Sequence, residues 1–411
     1  MQFITTPQLL DRGLSIVGHA LVGKALRPIE SYILASTDGE RVRLSARGEN
    51  IGIHCWVPVS QIEEEGMALL PAKLITDVVG NLPSSPVTLT SPSPTDETSC
   101  NLRCLRISSD MKNTGQDPDE FPSIPLFSQS GELLFQLDAD LLKEIISQVA
   151  FAASDKDDGR PALTGVYLEI GAGEALFVAA DAYRLAARTI SIPDDQLCRT
   201  LLLPAKTMEE LAKILPGQGS VQILLTGDHH QALFHTEIAD LSTPLLNETF
   251  PNVHPFFSQA WTTRAIMQTQ ELSSYLRLLL PFARENKNSI RFTLYGESGE
   301  NFSVERESNM VKLEAVARDM GNNQNVLQAQ VDGPDQVVHL HVKYLLDVLS
   351  VIETAEVVLE VTSGGRLATI KPVGPLNYVY VIMPMSQDLA VPGHTTASPE
   401  RNGHVPVASA R

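Results

Sequence analysis

The chain has 411 residues, 43% of them hydrophobic, with 31 Lys and Arg against 49 Asp and Glu and a formal net charge of −18. That length allows roughly two to four domains with ordinary cores. No apolar run approaches the roughly 18 residues of a membrane span, and residues 1–7 lack the basic and apolar regions of a secretory signal.

Taken in chain order, Phe3-Ile4-Thr5 predicts a short strand, and Leu9, Leu10, Leu14 and Val17 follow at helical spacing. A second helix is expected after Leu69-Leu70-Pro71-Ala72-Lys73. Residues 91–99 read as a loose hairpin tip, and 109–130 as a polar, proline-bearing separator. The pattern then restarts. Phe135-Gln136-Leu137 is a strand, with Asp140 as the expected N-cap of a helix carrying Leu141, Leu142, Ile145, Val149 and Ala152. Strands over 166–170 and 175–179 flank the turn Gly171-Ala172-Gly173-Glu174. Pro204 is expected at the first position of the next helix, where its missing N–H costs nothing; Met208, Leu211 and Leu215 form the apolar stripe. Strands over 220–226 and 231–236 close the unit, and 252–263 separates it from a third. That one begins with Ala265-Ile266-Met267 and a helix bearing Leu272, Leu276, Leu279 and Leu280. A helix from Val342, strands over 356–362 and 367–371, and a last strand in 378–385 complete it. Residues 387–411 have no periodicity and are expected to be a disordered tail.

The restart is also written in the residues. Leu69–Lys73 recurs, letter for letter, 133 positions later as Leu202-Leu203-Pro204-Ala205-Lys206. Leu82-Pro83 and Arg27-Pro28 return at the same interval as Leu215-Pro216 and Arg160-Pro161. Solenoid repeats run roughly 20–50 residues, so this period is that of a whole domain. The predicted fold is α+β, three tandem copies over 1–128, 129–258 and 259–386, each with two helices on antiparallel sheets. Each helix pair has one polar face left over, and in an arc of copies those faces line one side.

Chemistry is sparse. There is no phosphate-binding Gly-rich loop and no Gly-x-Ser-x-Gly elbow. Asp228-His229-His230 with His235 is the most metal-like cluster, but it sits between strands and reads as a solvated turn. Asp155-Lys156-Asp157-Asp158 reads as a charged loop. The four cysteines (Cys55, Cys100, Cys104, Cys198) are too irregular for a disulfide framework. Cys100 and Cys104 lack a second pair at zinc spacing, so reduced thiols in a cytoplasmic protein are expected. No metal or cofactor is expected, and an enzyme would need an acid–base or metal constellation that the chain does not offer. Two segments suit binding instead: Ala179–Arg188 at a strand-to-strand turn, and the chain's last strand with Met383, Pro384 and Met385, residue types that make adaptable grooves for apolar peptides.

The sequence resembles the bacterial sliding clamps, the β subunits of DNA polymerase III. The family's Thr-Asp-Gly-His-Arg-Leu-Ala run is matched by Ala180-Asp181-Ala182-Tyr183-Arg184-Leu185-Ala186, its Tyr-Val-Val-Met-Pro-Met by Tyr380-Val381-Ile382-Met383-Pro384-Met385, and its Pro-x-Leu-x-Gly by Pro161–Gly165. Phe-Pro occurs near two domain ends, at 121–122 and 250–251. The resemblance runs from residue 1 to about 386 and implies a non-catalytic, head-to-tail homodimer encircling double-stranded DNA without sequence preference. It also implies docking of the DNA polymerase III α subunit, the clamp loader and other proteins with clamp-binding peptides. The groove would comprise Leu163, Ala180, Ala182, Tyr183, Arg184, Leu185, Pro251, Phe256, Val381, Met383, Pro384 and Met385. Lys24, Arg27, Lys73, Arg160, Lys206, Lys287 and Lys343 would face DNA, or else be solvated surface charge, on a basic face within an acidic total. Leu105, Ile107 and Phe282 would lie at the subunit interface or in their own cores. Ala182 for Gly, Tyr183 for His, Pro255 for a basic residue and Ser386-Gln387 for Arg-Leu imply a groove of shifted preference. A clamp-like accessory paralogue that binds peptides without encircling DNA is the alternative.

Overall fold

The computed structural model describes residues 1–21, 27–91, 100–112, 117–127, 131–296, 309–317 and 320–385. Lys24, Ser386, the hairpin tip over 92–99 and the tail over 387–411 lie outside them.

One order of elements occurs three times: strand, helix, hairpin strands, helix, three closing strands. Strand Gln2–Thr5 leads into α1 (Pro7–Gly18) and strand Met67–Pro71 into α2 (Ala72–Val79). Glu132–Asp138 and Arg199–Pro204 lead into α3 (Ala139–Val149) and α4 (Ala205–Ile214). After the one-turn α5 (His254–Phe257), Trp261–Gln268 and Gln336–His341 lead into α6 (Thr269–Ala283) and α7 (Val342–Val351). The repeated Leu-Leu-Pro-Ala-Lys is the step from strand to second helix. Two helix starts differ from expectation for one reason: the strand runs straight into the helix, so its last residue is the cap. Asp138, still extended, is the N-cap of α3, and Asp140 sits exposed in the first turn, where its charge meets the positive end of the helix. Pro204 likewise is the N-cap of α4, not its first residue. In α1 the glycine at 13 is a packing requirement, since a Cβ there would lie 2.3 Å from Val57 Cγ2.

All ladders are antiparallel and form sheets of five, eight, nine and four strands. The two larger sheets cross unit boundaries. Ala239–Pro244 of the second unit pairs with Gly52–Pro58 of the first, with Ala239 opposite Cys55 and Ser242 opposite Gly52. Tyr378–Ile382 of the third pairs with Arg184–Ser191 of the second, from Arg184 opposite Ile382 to Arg188 opposite Tyr378. The core runs through all three units and includes Phe3, Phe177, Phe234 and Phe292, all fully buried, each contributing roughly 1.5–3 kcal/mol by leaving water. Helices of successive units meet: His19 Nδ1, just past α1, lies 2.6 Å from Glu210 Oε2 on α4, and α3 packs on α7. Among the described residues no helix is long and apolar enough to cross a membrane.

Cys55, Cys100 and Cys104 are buried, and Cys198 is exposed. Burial pushes the Cys55 and Cys100 thiols up to about 12, which leaves them protonated and inert.

The strand Ala239–Pro244 has no counterpart in the sequence-based expectation, because Asp240, Ser242 and Thr243 look like surface. They are buried. The Asp240 carboxylate accepts from Phe127 N (3.1 Å) and lies 2.6 Å from His235 Nδ1. His54, opposite Asp240 in the ladder, is bonded to Ser45 Oγ at 2.8 Å through Nδ1. Burial first, with Arg43 nearby, lowers its pKa to about 4. An unfolded His54 takes up a proton below about pH 6.5 while the folded one stays neutral, so acidification favours unfolding. Between about pH 6.5 and pH 5 this residue alone is expected to cost roughly 1.5 kcal/mol. Denaturant melts of the native chain and of His54→Asn at both pH values measure it, as the part of the acid loss that the variant lacks.

Candidate functional site

Where the second unit meets the third, strand alternation sorts residues onto two faces. Leu185, Ala187 and Val381 point away from the helices and join Leu163, Val178, Ala180, Leu202, Phe250, Val253 and Leu367 in an apolar cluster distinct from the main core. The Tyr167 ring stacks on Phe250, with centroids 5.0 Å apart. Around this floor stand exposed side chains: Tyr183 (60%), Met383 (49%) and Phe256 (39%). Ala182 and Pro251 are exposed beside them, while Pro384 and Met385 are half-buried. Of the residues singled out in the sequence, Leu163, Ala180, Leu185 and Val381 thus fall in one apolar cluster.

Carboxylate and main-chain bonds hold the segments around it. Asp181 Oδ1 accepts from Tyr183 N at 2.7 Å and Arg184 N at 2.9 Å, closing the turn. Met383 N donates to Tyr183 O, and Met385 N to His339 O, both at 2.8 Å. His254 Nε2, 3.0 Å from Glu169 Oε2, ties down α5, which presents Phe256.

Arg184 departs from expectation. It shares the helix-facing side of its strand with Ala186 and Arg188, so its guanidinium lies behind the floor that Leu185 forms. Nε bonds Asp181 Oδ2 (3.0 Å), Nη1 bonds Asp347 Oδ2 (2.5 Å) and Nη2 donates to Phe151 O (2.9 Å). The guanidinium also lies over the Tyr344 ring, 4.4 Å from its centroid.

The metal-like Asp228 cluster is a turn between Ser220–Leu225 and Gln231–His235. Its carboxylate is occupied by Thr226 Oγ1 (2.6 Å) and His230 N (3.1 Å). A cleft of about 180 Å³ adjoins it, lined by Tyr167, Leu202, His229, His230 and Glu248 among others. Among the described residues no group of three or more His, Cys, Asp or Glu is placed to hold a metal.

Of the basic residues singled out, Lys73, Lys206 and Lys343 are each the second residue of α2, α4 and α7, and all are exposed. Arg160 and Lys287 are exposed in connections outside the six long helices. Arg27 is tied to Glu30, with Nε 3.1 Å from Oε1. The six long helices carry further bases that the sequence reading did not assign to DNA: Arg12, Lys143, Lys213 and Arg277. With Lys73, Lys206 and Lys343 these make seven. Asp11, Asp77, Asp140, Glu144, Glu209, Glu210, Glu271 and Asp347 make eight acids. The six long helices thus stand within one charge of neutral, while the chain carries −18.

Leu105 (75%) and Ile107 (42%) are exposed and are not core. Phe282 is half-buried against the main core of its own unit. Ile107 opens the edge strand Ile107–Met111 of the five-stranded sheet, and Gly321–Gln328 is an edge of the four-stranded one. Val326 on that second edge and Leu278 on α6 beside it are also exposed. Nothing in the sequence marks those strands as edges.

Three tandem α+β units joined by shared sheets, with their helices in one row, define the DNA-clamp class of protein. Family models for the N-terminal, central and C-terminal domains of the DNA polymerase III beta subunit match residues 1–125, 136–252 and 269–386. The chain belongs to that family, the beta sliding clamps. The Beta sliding clamp of Synechococcus elongatus is 27% identical over 394 residues, covering 94% of this chain and 99% of the relative. That of Bacillus subtilis is 28% identical over 398 residues, with the same coverage. The crystal structure of the beta subunit from DNA polymerase of Streptococcus pyogenes superposes with a TM-score of 0.84 at 22% identity, covering 94% of this chain and 100% of that one.

Proposed function

We propose that two copies close head to tail into a ring of six units around duplex DNA, and that the ring tethers the replicative polymerase without chemistry of its own. One observation carries the reading. In the first two units the third hairpin strand (Gly52–Pro58, Arg184–Ser191) pairs with the closing strand of the following unit. In the third unit the equivalent strand is Gly321–Gln328, and the closing strand left over is Ile107–Met111. Both are free edges among the described residues. A second copy supplies each edge with its counterpart, and two such contacts complete a closed, symmetric ring. Exposed long edges otherwise invite open-ended pairing.

The near-neutral helix row would then face the duplex, with the acidity on the outer surface. Weak phosphate contacts by Lys73, Lys206 and Lys343 suit sliding, because topology rather than affinity retains the ring. Arg160 and Lys287 are secondary candidates, and Arg27 is a poorer one because Glu30 engages it. The apolar groove between the second and third units is the proposed dock for peptides of the polymerase α subunit, the clamp loader and other partners. The proposed compartment is the cytoplasm, where the duplex and the polymerase are found.

Replacing Lys73, Lys206 and Lys343 by alanine together removes three cations from each of the two copies and should flatten the dependence of log K on log salt by up to about five, close to one for each phosphate no longer neutralised. The measurement is equilibrium binding to short, open-ended duplex titrated with salt, where topology retains nothing. An unchanged slope would remove these helices from the DNA face.

A further inference from the structure

Arg184 is the one groove residue whose side chain is almost spent before any partner arrives. Its side chain is 12% exposed. Its three nitrogens bond a carboxylate of its own turn (Asp181), a carboxylate on α7 (Asp347) and the Phe151 carbonyl just beyond α3. The ring of Tyr344, also on α7, covers one face of the guanidinium. Asp181 in turn holds the amides of Tyr183 and Arg184, and Tyr183 O receives Met383 N. One planar cation therefore links the turn that carries Ala182 and Tyr183 to the third unit's helix and, through that turn, to the strand end that carries Met383.

We infer that Arg184 is a positioning residue: it serves partner docking by locking the 181–183 turn of the second unit onto α7 of the third, through Asp347, and not by touching the partner. This rests on the groove being the dock. A rigid wall binds more tightly than a mobile one because less freedom is lost on docking. A guanidinium suits the task, since its fixed fork reaches two carboxylates and a carbonyl at once where an ammonium would not.

The test uses full-length protein and the purified DNA polymerase III α subunit, with affinity measured by surface plasmon resonance. Asp347→Asn is expected to weaken binding about tenfold, and Asp347→Glu, which keeps the carboxylate, to restore most of it. Arg184→Met should weaken binding similarly, and the double variant Arg184→Met with Asp347→Asn should be no worse than Arg184→Met alone. Thermal melting and mass in solution show whether each variant is folded and dimeric. If Arg184→Met fails to fold, the Asn and Glu pair at 347 decides alone. Native affinity in Asp347→Asn, or losses that simply multiply in the double variant, would overturn the proposal. Met383→Ala with Met385→Ala is run in parallel. If that variant binds normally, the dock lies elsewhere and the proposal falls with it; if it weakens binding while the 347 variants do not, the dock stands and only the positioning role is lost.

Discussion

Met383→Ala combined with Met385→Ala is expected to abolish stimulation of the polymerase while the protein stays folded and dimeric. Met383 is half-exposed at the groove rim and Met385 half-buried beside it, so truncating them removes little from the folded chain, within about 1 kcal/mol for surface positions. Their loss falls on the docked state. A methionine fully covered by a partner contributes roughly 1.5–3 kcal/mol, and central apolar anchors dominate such interfaces. Two together amount to about a hundredfold or more in affinity. Primer extension at limiting polymerase reads the effect, and light scattering confirms the oligomer. Unchanged stimulation would move the dock away from the cluster of Leu163, Leu185 and Val381.

Ile107→Asp with Leu278→Asp is expected to yield monomers of 44.8 kDa in place of a dimer of about twice that mass. Both side chains are exposed within the single chain, so the substitutions leave each unit's core untouched. Each chain carries both edges, and a two-copy ring buries both twice. An aspartate forced into an apolar contact without a partner costs several kcal/mol. Melting should be nearly unchanged while the mass halves. A dimer that survives both substitutions would place the subunit contact elsewhere.

The threefold plan was legible because the strand-to-helix step reuses Leu-Leu-Pro-Ala-Lys, and the third copy, with His341-Val342-Lys343 in its place, keeps the apolar spacing. Ala239–Pro244 was not legible. A buried Asp240 reads as surface until Phe127 and His235 are seen to satisfy it. Leu163, Leu185 and Val381, to which the family likeness pointed, share one apolar cluster, but the face to which Arg184 belongs was not legible. Both sides of its strand are buried, with Leu185 and Ala187 on one and Ala186 and Arg188 on the other, so hydrophobic alternation cannot choose between them. The exposure of Leu105 and Ile107 depended on where the sheet ends, which only the ladder order displays.

The most direct measurement of encirclement compares retention on closed and open DNA. Clamp loaded onto nicked circular duplex should remain through gel filtration in moderate salt, and cutting the circle once should release it within the time of the run. The Ile107→Asp, Leu278→Asp chain should be retained on neither. Equal retention on circular and linear molecules would contradict a ring and leave a protein that holds DNA, if at all, by its surface.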